Sequence, residues 1–186
     1  IGCLSDSLIN EEICIGCDNC EKACADIHDG LSRLDREAGK TFAHLHVPTS
    51  CRHCEHPHCM TDCPSNSIHR GPDGEVFIDD SCIGCGNCKR YCPYDVIRMD
   101  TVPPKKPGIL WWLLLGMGPG PGEPDYQWRK AHADPNVESP KVAIKCDMCV
   151  DENGGPACVR ACPTGAAIRV SPESFLSVAL LERGRD

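Results

Sequence analysis

The chain has 186 residues, a net charge of −8 and 17 cysteines, against only three tryptophans, three tyrosines and three phenylalanines. The acidic balance argues against nucleic acid as a partner, and so few aromatics exclude a large aromatic core. A cysteine count this high points to a fold held by disulfides, metal or clusters.

From the N-terminus, no secretory apolar region is visible and no run of 18 apolar residues follows anywhere, so no membrane span is expected. Cys3 stands outside every repeat and reads as a free thiol in a tail. The first motif, "CIGCDNCEKACA", places Cys14, Cys17, Cys20 and Cys24 at gaps of two, two and three residues. Residues 25–50 read as scaffold, with a turn around Gly39-Lys40 and strand-like alternation in "FAHLHV". The second motif, "CRHCEHPHCMTDCP", holds Cys51, Cys54, Cys59 and Cys63 at gaps of two, four and three. Next come a turn at Gly71-Pro72-Asp73-Gly74 and a strand at Val76, Phe77 and Ile78.

The third motif, "CIGCGNCKRYCP", holds Cys82, Cys85, Cys88 and Cys92 at the first motif's spacing. Residues 103–140 form an insertion, rich in proline and glycine at both flanks, around the apolar run "ILWWLLLGM" from Ile109 to Met117. That run is too short to span a membrane. It either folds back on the core or docks to a partner subunit or a membrane surface. Lys105 and Lys106 lend the membrane surface only weak support. The fourth motif, "KCDMCVDENGGPACVRACP", holds Cys146, Cys149, Cys158 and Cys162, its middle gap stretched to eight.

Three cysteines at two-residue gaps, then Cys-Pro after three more, is the spacing of bacterial [4Fe–4S] ferredoxins. The third motif matches it fully. The first has Ala25 in place of the proline, and the second and fourth enlarge only the middle gap. Three thiolates on a tight turn cap three corners of a cube, and the backbone N–H groups of that turn face the sulfurs. Gly16, Gly84 and Gly86 let the backbone approach. The fourth cysteine is expected to open a helix and to ligate the neighbouring cluster.

Zinc ribbons also use Cys-x-x-Cys pairs, but as two separated pairs rather than a triad plus Cys-Pro. Disulfides suit a secreted chain, yet cysteines this close in four repeats are poorly placed to bridge one another. His53, His56 and His58 interleave with a complete thiolate set, so they read as surface or tuning residues rather than ligands. Arg70, Lys89, Arg90, Arg98 and Lys145 lie near ligands in sequence, where ordinary surface charge is as good an explanation as tuning.

Four motifs pair in three ways. The second and third, joined by a short helix and hairpin, make one two-cluster unit, which leaves the first and fourth as the other. Exchange of fourth ligands then gives four sets: Cys14, Cys17, Cys20 and Cys162; Cys146, Cys149, Cys158 and Cys24; Cys51, Cys54, Cys59 and Cys92; Cys82, Cys85, Cys88 and Cys63. The fold expected is α+β, two nested bacterial-ferredoxin-like units with four [4Fe–4S] clusters. The outer unit takes residues 10–47 plus 141–172, the inner unit 48–102, the insertion 103–140, and a tail 173–186.

These motifs, in this order and with the second and fourth expanded, resemble the iron–sulfur subunit of the dimethyl sulfoxide reductase and formate dehydrogenase type across roughly residues 10–172. The resemblance implies the same ligand pairing and a chain that is not an enzyme on its own. It implies an electron relay between a catalytic redox subunit, carrying molybdopterin or flavin, and a quinone-linked membrane subunit or other carrier. Docking through Ile109–Met117 and a location in the cytoplasm, or on the cytoplasmic side of a membrane, are the matching expectations. Export with a partner is the alternative. The rivals are a module of a larger flavin-containing oxidoreductase, a mobile polyferredoxin and a structural zinc protein.

Overall fold

The computed structural model describes residues 6–101 and 141–171, together with Ser174. Cys3, the whole 103–140 insertion including Ile109–Met117, and all of the 173–186 tail except Ser174 lie outside the described residues.

Strand β1, Asp6–Asn10, puts Leu8 and Ile9 into the interior, 1% and 2% exposed. It is the hub of a four-stranded antiparallel sheet in the order β2-β3-β1-β8, where β2 is Asp35–Phe42, β3 is Leu45–Thr49 and β8 is Ala167–Val170. Leu8 pairs with Ile168 and Ile9 with both Ala167 and His46. The strand before the first cysteine motif is thus zipped to the strand after the fourth.

A second pair, β4 (Ile68–Arg70) and β5 (Val76–Ile78), forms the hairpin expected from the Gly71–Gly74 turn, closed by a Gly71 N–H to Glu75 carbonyl bond of 2.8 Å. A third, β6 (Arg98–Thr101) with β7 (Lys141–Ile144), brings together the two ends of the insertion.

The turn expected at Gly39-Lys40 is not there. Strand β2 runs straight through it, and the chain reverses at Ala43-His44. Gly39 faces Pro48, which has no N–H to give the ladder, and the register shifts at this point. With φ of 134°, a side chain at Gly39 would also strike the Val47 carbonyl, so the glycine marks a bulge rather than a turn. The sheet is also more extensive than the short hairpins expected beside the clusters.

Four short helices follow one rule. In α1 (Asn19–Ile27), α2 (His58–Thr61), α3 (Asn87–Tyr91) and α4 (Ala157–Arg160), the third cysteine of each motif is the second helical residue. The fourth cysteine does not open a helix, as expected, but closes one. Cys63 and Cys162 fall just past α2 and α4, and Cys92 caps α3 with extended ψ of 114°. The proline after each of these three cysteines disfavours the helical region at the cysteine itself. The first motif has Ala25 there instead, and α1 runs on to nine residues with Cys24 inside it. Helix α1 packs on α4, and α2 on α3.

The cores are built largely of cysteine. Ile68, Val76, Val96, Ile97 and Ala143 pack with Cys51, Cys88 and Cys146 in one cluster, and Leu34 packs with Cys20 and Cys158 in another.

Candidate metal centres

Sixteen cysteines converge on four places. Cys14, Cys17, Cys20 and Cys162 line one concavity, beside Arg36 and Ile15. We call these the first set. In the second, Cys158 lies among Cys146, Cys24 and Cys149. The third, Cys51, Cys54, Cys59 and Cys92, lines a concavity floored by Val76 and Ile97. The fourth, Cys63, Cys82, Cys85 and Cys88, lines another beside Ile83. Each set takes three thiols from one motif and one from another. The helix packing explains it: α1 on α4 brings Cys24 to the fourth motif and Cys162 to the first, and α2 on α3 does the same for Cys63 and Cys92.

The loops are shaped for this. Gly84 has φ of 68°, and a side chain there would collide with the Lys141 carbonyl at the start of β7. Backbone N–H groups face the sulfurs: Arg33 to Cys24 at 3.2 Å, Ala157 to Cys149 at 3.4 Å, Ala167 to Cys162 at 3.4 Å and His53 to Cys51 at 3.5 Å. The Ser67 and Ser65 hydroxyls lie 3.3 and 3.5 Å from the Cys63 sulfur.

Burial, then the charge of nearby thiols, pushes Cys158 up to about 12 despite Arg169 beside it. Burial likewise holds Cys59 at about 11, and raises Cys20, Cys24, Cys88 and Cys149. Cys63 goes the other way, to about 7, because the contacts with Ser67 and Ser65 together outweigh its desolvation. Thiols clustered at this density are costly to ionise without a cationic core among them.

The donor sets fit an iron–sulfur cluster. Each offers four thiols and either N–H or O–H groups aimed at sulfur or a guanidinium beside it.

Several charged neighbours were not visible in the motifs. Arg36 donates to the Cys14 sulfur at 3.3 Å while facing Glu11 at 3.5 Å. Arg33 holds Asp147 at 2.6 Å, and His28 sits 3.4 Å from the same carboxylate and 3.9 Å from the Cys149 sulfur. Arg169 donates to the Cys146 sulfur at 2.7 Å. Of the cations noted in the sequence, Lys145 is not surface charge at all: it is 2% exposed. Arg70 binds the carbonyls of Cys54, Glu55 and Gly74, and Arg98 reaches the Ser32 carbonyl. Among the three histidines of the second motif, His53 is fully buried and His56 and His58 are exposed.

The 4Fe-4S dicluster domain family matches residues 42–105, a second 4Fe-4S dicluster domain family matches 81–166, and a 4Fe-4S binding domain family matches 11–26. Among curated relatives, hydrogenase-4 component A of Escherichia coli (strain K12) is 33% identical, over 87% of this chain and 80% of its own length. Formate hydrogenlyase subunit 2 of the same organism is 33% identical, over 95% and 86%. Its electron transport protein HydN is 31% identical, over 92% and 91%.

Proposed function

Because the chain belongs to the family of 4Fe-4S dicluster proteins that includes hydrogenase-4 component A, formate hydrogenlyase subunit 2 and the electron transport protein HydN, we propose that it relays electrons through four [4Fe–4S] clusters, one per thiol set. When bound, each cluster supplies a site that takes up and releases one electron.

The observation that carries the proposal is the order of the sets. Helix α1 bears Cys20 of the first set and Cys24 of the second, about 6 Å apart along the axis. The α4 segment bears Cys158 of the second and Cys162 of the first. Arg169 donates to Cys146 of the second set, its charge also acts on Cys158 of that set and Cys51 of the third, and Cys146 and Cys51 share one core cluster. The α2 and α3 segments each carry one thiol of the third set and one of the fourth. The sets therefore form a line: first, second, third, fourth. The two halves of that line are the nested outer and inner ferredoxin units, with boundaries at 10–47 plus 141–172 and at 48–102.

At the two ends, Ile15 beside the first set and Ile83 beside the fourth are 67% and 66% exposed. Apolar side chains left in water next to terminal sites suit docking by redox partners. In this reading one end meets a catalytic subunit of the dimethyl sulfoxide reductase or formate dehydrogenase type, with molybdopterin or flavin. The other meets a quinone-linked membrane subunit or another carrier. Among the described residues, the protein supplies ligands, N–H donors and cations to the sets. Among the described residues, no helix is long and apolar enough to cross a membrane.

The experiment is a coulometric reductive titration of the anaerobic chain. The expected result is uptake of about four electrons per chain, one for each cluster. Uptake of none would end the relay reading, and uptake of about two would leave half of the line without clusters.

A further inference from the structure

A buried cationic seam lies where the second and third sets meet. Arg169 reaches it from β8, donating through Nη2 to the Cys146 sulfur at 2.7 Å. Its Nε and Nη1 are shut off from solvent and find no acceptor among the described residues. Lys145, 2% exposed, spans the same seam, with Nζ donating to the carbonyls of Val76 and Cys146.

His53, fully buried, completes it. The His53 Nδ1 accepts the Val76 N–H at 2.9 Å, which puts the ring proton on Nε2. That atom too has no acceptor among the described residues. With Nδ1 engaged as an acceptor, the ring adds a donor rather than a charge.

A buried donor left without an acceptor destabilises the fold. Three such nitrogens in one seam, flanked by thiols of both units, are hard to account for unless an acceptor belongs there. The acceptors this site chemistry provides are thiolate and sulfide sulfur. N–H groups and fixed positive charge near such sulfur favour the reduced, more negative state, all the more where solvent is excluded.

We propose that Arg169, supported by Lys145 and His53, is a positioning residue shared by the two middle clusters, and that its charge and N–H donors raise the reduction potentials of both. This rests on the four-set reading above. Arginine suits the place because its charge is permanent and its donors fan out in a plane, serving two neighbours at once.

The test is an EPR-monitored redox titration of the full chain with its clusters bound, comparing the parent with Arg169→Gln, Arg169→Lys and Lys145→Gln. In Arg169→Gln, two of the four clusters are expected to become harder to reduce by a factor of about ten or more, about 59 mV for one electron. The other two keep their potentials, and Arg169→Lys shows a smaller shift. Four unchanged potentials, or one equal shift in all four, would overturn the proposal. Should Arg169→Gln fail to hold its clusters, Lys145→Gln decides: the same two potentials must fall, and unchanged potentials there count against the seam. A parent chain without four titrating clusters would instead fault the four-set reading, leaving the two failures distinguishable.

Discussion

Adding Cys162→Ala to a chain that already carries Cys14→Ala is expected to cost no further iron. Each change alone should remove one [4Fe–4S] cluster, about four iron atoms per chain, and the pair together should also remove about four. Combining Cys14→Ala with Cys24→Ala, though both lie in one motif, should instead remove about eight. The reason is the exchange of fourth thiols between packed helices. Cys162 lines the concavity of Cys14, Cys17 and Cys20, whereas Cys24 sits within α1 facing Cys146, Cys149 and Cys158. Self-contained motifs would give the opposite pattern: eight irons lost for Cys14 with Cys162, and four for Cys14 with Cys24. The check is iron analysis of the single and double variants after anaerobic purification, and additivity of the first pair would refute the exchange.

Stripping the clusters should unfold most of the protein. Helices α2, α3 and α4 have only four or five residues each, far below the length at which a helix stands alone. Cysteines make up much of both cores, so an emptied chain would have buried thiols and concavities where packing is needed. Structural metal sites contribute on the order of 10 kcal/mol to folding, as much as a whole domain usually has in reserve. After oxidation and chelation, cooperative denaturant unfolding should disappear and helical circular dichroism should collapse. Residual amide protection should concentrate in the sheet β2-β3-β1-β8, where strand pairing and the buried Leu8, Ile9 and Leu45 add to what the thiol sites supply. A stripped chain that kept a cooperative transition would show that side-chain packing alone holds the fold.

The parts of this architecture legible in the sequence are those governed by local spacing. The four cysteine motifs, the turn at Gly71–Gly74 and strand β5 follow from residues within a few positions of one another. What the spacing did not reveal depends on partners far along the chain. Gly39 looked like a turn because glycine next to lysine often is one. Only the pairing with Pro48 shows that the position is a bulge in a continuing strand. By spacing alone, the proline after a fourth cysteine predicts a helix start. The structure makes it a helix stop, and Ala25 shows the contrast by letting α1 continue.

The tuning residues were the least visible. Arg169 lies outside every motif, in a strand whose "AIRV" gives no sign that its guanidinium reaches Cys146. Lys145 was singled out by its place beside Cys146, but its burial depends on β5, which supplies the Val76 carbonyl from the other unit.

The most direct measurement of the central claim is the iron and acid-labile sulfide content of the anaerobically purified chain. Four complete thiol sets predict about sixteen iron and about sixteen sulfide per chain. About four zinc ions without sulfide, or only about eight irons when the chain is fully reconstituted, would contradict it.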